Sequence, residues 1–273
     1  MTNLTPLSIE TKAEALEAFI AKYSNALVAF SGGVDSSVVL KATHNALGAE
    51  CFGILADTES NTKEDLALCQ KIAQEHGLPL EVIEYSELAI ENYAQNPINR
   101  CFFCKNELYS RLDVLAKNRC IEAVFDGSNL DDGGDYRPGL QAVKKHGVIS
   151  PLRELGYNKQ TVRELAKFYQ LPNHDRPSSP CLSSRIPYGS PVTKQKLGQV
   201  AEMEKFLRSL GLVEFRCRHH EQVARLEVHP EEFARVLQQR EAIVDFGRTV
   251  GFHWVSLDLG GFKSGSLNRV HQA

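Results

Sequence analysis

A chain of 273 residues, 42% hydrophobic and 24% charged with a formal net charge of -3, can bury a substantial core and points to one larger domain joined to a smaller one. The near-neutral balance argues against a broadly basic nucleic-acid surface, and no apolar segment approaches the roughly 20 residues that span a bilayer. Seven cysteines, an odd number, behind an N-terminus without a signal-peptide pattern, set the expectation of a cytoplasmic protein with reduced thiols.

Short apolar runs alternate with helical patterns over the first two-thirds of the chain. ALVAF at 26–30 reads as a strand, and a helix follows from Asp35 to about Leu47. AECFGILA at 49–56 is the next strand, and a helix starts near Asn61, an N-cap candidate with Glu64 three residues on. PLEVIEY at 79–85 leads through SELAIENY into a helix over 99–117, and IEAVFDG at 121–127 is a fourth strand. VIS at 148–150 is a candidate fifth, and NKQTVRELAKFYQ at 158–170 reads as a capped amphipathic helix. Strands separated by helices imply an α/β fold, a doubly wound parallel sheet with right-handed crossovers.

Residues 171–191, LPNHDRPSSPCLSSRIPYGSP, hold five prolines, five serines and one cysteine, the composition of a linker. A second set of elements follows: a helix at 193–209, strands near 212–218 and 223–228, a helix at 230–240 and a last strand near 252–258. The expected organisation is a first domain over 1–170, a cysteine-bearing loop over 171–191, and a smaller α+β domain over 192–273. The tail GGFKSGSLNRVHQA reads as irregular and partly mobile.

The turn after the first strand carries the chemistry. Ser31, Gly32, Gly33, Val34, Asp35, Ser36 and Ser37 stand where a parallel strand becomes a helix, which is where doubly wound folds bind ligands. Glycines let backbone N–H groups approach an anion at the helix N-terminus, and the serine hydroxyls can donate to phosphate oxygens. Asp35 would repel phosphate unless it fixes the loop or helps to hold Mg²⁺. The turn has no lysine and is not a Walker A loop. DGSNLDDGGDYRPG at 126–139 follows the fourth strand, so Gly127, Ser128, Asn129 and Asp131 belong to the same carboxyl edge. A solvated acidic turn has the same composition. By the same geometry Asp57, in ADTES at 56–60, flanks a bound nucleoside.

The cysteines fall into two kinds. Cys51, Cys69, Cys120 and Cys217 sit in expected elements and read as buried small hydrophobes. Cys101 and Cys104, in RCFFCK, are three apart at a helix start, where thiolates are favoured. Cys181, in PCLSSRIPYG, lies in the proline-rich loop beside Arg185. A lone C-x-x-C is compatible with zinc, redox chemistry or neither; zinc wants a fourth ligand, for which His174 is a candidate.

SGGVDS resembles the PP-loop of the ATP pyrophosphatase superfamily, which implies a pyrophosphate cradle, cleavage of ATP between its α and β phosphates, and an adenylylated substrate. With RCxxCK and PCLSSRIPYG, nearly the whole chain is similar to the LarE family, sulfur-inserting synthases of the nickel-pincer nucleotide. The resemblance implies that ATP adenylylates a carboxylate of pyridinium-3,5-dicarboxylic acid mononucleotide and that sulfur then displaces AMP, giving a thiocarboxylate. In single-cysteine members the residue matching Cys181 gives up its own sulfur. In three-cysteine members the cysteines hold an iron–sulfur cluster. Cys101, Cys104 and Cys181 occupy all three positions, and three thiolates leave a [4Fe–4S] cluster one ligand short. Self-association is implied by the resemblance alone.

In FRCRHHEQVARLEV, Arg216 and Arg218 point to one strand face and, with Arg185, are candidates for a substrate phosphate or carboxylate. A solvated strand face is the plainer alternative, with Glu227 as a cross-strand partner. Three competing functions stand beside the synthase. A tRNA-thiolating PP-loop enzyme would need cationic surface. A non-catalytic adenine-nucleotide sensor would not need the three cysteines, and ammonia-dependent amidation explains none of them.

Overall fold

The computed structural model describes residues 7–133, 138–177 and 180–263. In chain order the elements are α1 (Ile9–Ile20), β1 (Ala26–Phe30), α2 (Val34–Leu47), β2 (Cys51–Asp57), α3 (Lys63–Glu75), β3 (Leu80–Glu84), α4 (Glu91–Ala94), α5 (Arg100–Asn118) and β4 (Ala123–Phe125). Then come α6 (Gly139–Lys145), α7 (Pro151–Glu154), α8 (Lys159–Phe168), α9 (Lys194–Ser209), β5 (Phe215–His220), β6 (Val223–Val228), α10 (Phe233–Gln238), α11 (Arg240–Thr249) and β7 (Trp254–Leu257). They form two compact units. One takes residues 1–58, 63–85 and 99–178, the other 59–62, 86–98 and 179–273.

In the first unit four parallel strands pair in the order β3-β2-β1-β4. ALVAF is apolar throughout because both faces of β1 are covered. Ala26, Val28 and Phe30 join the core built with α1, α2, α3 and α8, whereas Leu27 and Ala29 turn to α5 and α6. That period of two is the doubly wound arrangement expected of the α/β pattern. Ser8 caps α1 and Asn158 caps α8, each side-chain oxygen accepting an N–H of the first turn. The candidate strand at 148–150 is reduced to a parallel bridge, Phe125 with Ile149. Because β1 lies between β2 and β4, the chain reverses direction of winding beside β1, and the loops after β1 and β4 open there.

The second unit contains a three-stranded sheet, β5 antiparallel to β6 and β6 parallel to β7. Its core joins Met203 and Leu207 of α9 to Phe215, Cys217, Leu226, Val228, Ile243 and Phe252. The helix expected over 230–240 ends at Gln239, which closes α10 and opens α11 with non-helical backbone angles.

Cys120 corrects the expectation of burial. It is exposed, one residue past Arg119, which closes α5, with φ of 53°. Ile121 N–H reaches back to Ala116 O at 2.9 Å, so Cys120 takes the left-handed position that ends a helix and turns to solvent. Residues 264–273 of the tail lie outside the described residues. Among the described residues no helix is long and apolar enough to cross a membrane.

Candidate active site

The turn between β1 and α2 is built by turning its carbonyls into the protein. Gly32 has φ of 70°, and a Cβ there would collide with Cys69 Sγ, so the position requires glycine. Gly32 O accepts from Asn173 Nδ2 at 2.9 Å. Gly33 O accepts from Ser36 Oγ at 3.1 Å and Ser37 Oγ at 2.9 Å. In a trans peptide the N–H is antiparallel to the C=O, so the Gly33 and Val34 amides face the other way. Gly33 N–H meets Ser31 Oγ at 3.5 Å, and with Val34 N–H it joins the first-turn N–H groups of α2, a set suited to an anion. The hydroxyl hydrogens of Ser36 and Ser37, expected at phosphate, are thus directed to Gly33 O, and the side chains are buried. Ser31 Oγ stands 3.2 Å from Ser36 Oγ and is exposed.

The loop after β4 packs on this turn. A Cβ on Gly127 would lie 2.6 Å from Ser36 N, so only glycine admits the approach. Asn129 Nδ2 donates to Asp35 Oδ1 at 2.9 Å, while its Oδ1 accepts from Asp131 N–H at 2.9 Å. Asp131 Oδ2 accepts from the Lys159 backbone N–H at 2.8 Å. Lys159 Nζ closes the ring by pairing with Asp35 Oδ2. Asp35, expected either to fix the loop or to help hold Mg²⁺, ties the loop to Asn129 and to a cation of the chain itself. Beneath the loop, Asp126 is buried and accepts from Ser128 N–H, Ser128 Oγ, Ser150 Oγ and Tyr109 OH at 2.6–3.1 Å. Ser128 thus gives its hydroxyl to the scaffold. Asp57 ends β2 half-buried on the same carboxyl edge.

Lys159 and Asn173 were not singled out from sequence. Lys159 follows the N-cap of α8, and the Leu-Pro-Asn string at 171–173 follows its end; neither position carries a local signal of a distant loop.

On α5 of the same unit, Cys101 is exposed and Cys104 half-buried, three residues apart on one helix face. In the second unit Cys181 is exposed at the N-cap of a short 3₁₀ turn, Leu182–Arg185. Its carbonyl accepts from Ser184 N–H at 3.0 Å, Ser184 Oγ at 2.7 Å and Arg185 Nη1 at 3.2 Å. Arg185 is 2% exposed and pairs bidentately with Glu204, Nε–Oε1 2.8 Å and Nη2–Oε2 3.0 Å. Tyr93 OH bridges Ser183 Oγ and Glu87 Oε2 within the same unit. Burial first, then the negative charge of a Cys181 thiolate, raises the tyrosine pKa far above its usual value, so the phenol stays neutral.

Arg218 donates from Nε and Nη2 to Glu227 Oε2 at 2.9 and 2.8 Å, and Arg225 reaches Glu227 Oε1 at 3.0 Å. The cross-strand partnership expected for Glu227 is therefore made. Arg216 lies 4.9 Å over the Phe262 ring, and burial, with Arg185 and Arg218 adding to it, lowers its pKa to about 10. Of the three candidate arginines, Arg185 and Arg218 are thus neutralised by buried carboxylates.

Among the described residues no three His, Cys, Asp or Glu side chains are grouped to hold a metal ion. His174 is engaged by Leu171 O and Asp175 through its two ring nitrogens. Burial pushes the Cys51 thiol up to about 12 and Cys69 to about 11, which keeps both as neutral packing groups.

The NAD synthase family model matches residues 9–115. Over 264 residues the chain is 42% identical to an uncharacterized protein of Synechocystis sp., covering 96% of this chain and 98% of that one. It is 35% identical over 262 residues to pyridinium-3,5-bisthiocarboxylic acid mononucleotide synthase of Lactiplantibacillus plantarum, covering 96% and 95% of the two chains. A tRNA-specific 2-thiouridylase of a Wolbachia species is 27% identical over 195 residues, 57% of this chain and 52% of that one.

Proposed function

Because the chain belongs to the LarE family of the PP-loop superfamily, we propose that it adenylylates a carboxylate of pyridinium-3,5-dicarboxylic acid mononucleotide with ATP and converts it to a thiocarboxylate. It is an enzyme, an ATP-dependent sulfurtransferase. The observation that carries the reading is the packing of Gly127 on Ser36, which joins two carboxyl-edge loops around the outward-facing amides of Gly33 and Val34.

In this reading the amides take the pyrophosphate part of ATP, and Asp57 flanks the adenosine. Mg²⁺ bound with ATP would neutralise phosphate charge, and Asp35 is the carboxylate that would help to hold it. Lys159 holds Asp35 in place and adds a positive charge beside the loop. The substrate carboxylate attacks the α phosphorus, pyrophosphate leaves, and the poor electrophile becomes an acyl-adenylate. Sulfur at Cys181 then adds to the acyl carbon and AMP leaves. Arg185, Arg216 and Arg218 are together the candidates for the surroundings of a substrate anion.

Three cysteines supply the donor chemistry of an iron–sulfur cluster, but among the described residues no such ligand set is grouped. The sulfur step is assigned to Cys181, with its own Sγ or a sulfide of a cluster that Cys101, Cys104 and Cys181 would hold as the two sources to be separated. A single-turnover assay with ATP and the dicarboxylate mononucleotide tests the reading. Stoichiometric AMP, pyrophosphate and thiocarboxylate are expected. AMP formation that requires tRNA and ignores the mononucleotide would overturn it.

A further inference from the structure

We propose that Asn173 is a positioning residue of the phosphate loop, one whose amide sets which way the loop's N–H groups face and so gives the site its preference for pyrophosphate-bearing ligands. The inference rests on the reading of the β1–α2 turn as a phosphate cradle.

The loop presents amides only if its carbonyls are held elsewhere. Gly33 O is held locally by Ser36 and Ser37, three and four residues on. Gly32 O sits at the left-handed residue of the turn and receives Asn173 Nδ2, 141 residues away in sequence. The same Nδ2 donates to Ser37 Oγ at 2.9 Å, whose own hydrogen is given to Gly33 O. One amide group thereby restrains both peptide units that precede α2. Its orientation is fixed, because Gly32 O can only accept and Ser37 Oγ has already spent its proton.

Packing alone does not explain an asparagine here. The side chain is 3% exposed, and its Oδ1 is buried without a hydrogen-bond partner among the described residues. An unpaired buried acceptor is destabilising, and an apolar side chain would avoid it. What the amide supplies, and an apolar group cannot, is the pair of donors to the loop.

The residue is also held rigidly enough to act as a post. Asn173 O accepts from Arg176 N–H at 3.0 Å, and His174 N–H reaches Leu171 O at 3.2 Å. Arg163 donates to the carbonyls of His174 and Arg176. Arg176 in turn pairs with Asp65 of α3 at 2.5 Å, one turn before Cys69, whose sulfur underlies Gly32. The turn at 171–176 and α3 form a common floor, and Asn173 is the part of it that grips the loop carbonyl.

Asn173→Asp tests this, since it keeps the shape but exchanges the donors for a carboxylate facing Gly32 O. Binding of ATP, pyrophosphate and AMP to the full chain is measured by calorimetry, with far-UV circular dichroism as the fold control. ATP and pyrophosphate should bind at least about tenfold more weakly and AMP within about twofold of the parent. Asn173→Ala, which adds no charge, should show the same selectivity with a smaller loss. Unchanged pyrophosphate affinity, or equal weakening of all three ligands, would overturn the proposal. So would failure of both variants to fold, which would make Asn173 a core residue. A parent that binds neither ATP nor pyrophosphate overturns the cradle itself, whereas failure of thiocarboxylate formation alone leaves the Asn173 result standing.

Discussion

Asp35 and Lys159, 124 residues apart in sequence, are joined through Oδ2 and Nζ beside the phosphate loop. The pair is partly exposed, 23% and 31% for the two side chains, so its direct contribution to stability is no more than about 1 kcal/mol. Its value lies in placing charge. Lys159→Met should leave the thermal midpoint within a few degrees of the parent and raise the ATP KM at least about tenfold by removing a cation near the phosphates. Equilibrium unfolding and steady-state kinetics read the two effects separately; an unchanged KM would remove Lys159 from the site.

Arg185 and Glu204 form a pair in which each side chain is 2% exposed. Removing one partner leaves a buried charge without its counterion, so Arg185→Met should cost about 3–5 kcal/mol in urea unfolding. The double variant Arg185→Met with Glu204→Met should recover only part of that stability, because a buried pair gains little over well-packed apolar groups but Glu204 Oε1 also accepts the buried Cys217 N–H at 3.0 Å, which the variant leaves unpaired. It should not recover thiocarboxylate formation, since Arg185 Nη1 also holds Pro180 O and Cys181 O. Recovery of both would reduce Arg185 to a stabilising residue.

Much of this site was legible in the chain and much was not. Two adjacent glycines between ALVAF and the helix that follows specify the β1–α2 turn locally, and the strand–loop at 121–129 gives its neighbour by topology. Hydroxyl direction was not legible: Ser36 and Ser37 are one helical turn from Gly33 O, and only the folded turn shows that their protons go there. Lys159 and Asn173 reach the loop through tertiary packing, which no periodicity encodes. Arg185 looked like a substrate ligand because its partner, Glu204, lies on a helix whose register the proline-rich loop hides. The exposure of Cys120 carries no local signal, because a left-handed helix-ending residue is usually glycine or asparagine.

Burial, then Lys196, lowers the pKa of His219 below its ordinary value of 6.5. Nε2 meets Gln199 Oε1 at 3.0 Å, and Nδ1 is buried without a partner among the described residues, so the folded state resists a second proton. The unfolded chain then binds more protons than the folded one between the two pKa values. This stabilisation is complete above about pH 6.5 and is lost as pH falls toward the folded value. His219→Phe should be less stable at neutral pH, through the lost Gln199 bond, but should lose less on going from pH 7 to pH 5. A parallel loss in both proteins would place the acid sensitivity elsewhere.

Cys181 separates activation from sulfur transfer. If the acyl-adenylate forms without the thiol, Cys181→Ala should retain substrate-dependent exchange of pyrophosphate into ATP and form no thiocarboxylate. Loss of both activities would mean that the residue also serves the first step. The source of sulfur is then read from Cys101→Ala and Cys104→Ala purified without oxygen, by bound iron, sulfide and intact mass. One thiocarboxylate per chain, with Cys181 lighter by one H₂S, would assign the sulfur to Sγ. Thioester formation at Sγ, loss of the Cα proton and cleavage of the Cβ–S bond leave dehydroalanine and account for every atom. Iron and sulfide in the parent, an unchanged mass after turnover, and loss of product in both variants would instead assign it to a cluster. Cys101 and Cys104, exposed and half-buried on one face of α5, would then be ligands rather than bystanders.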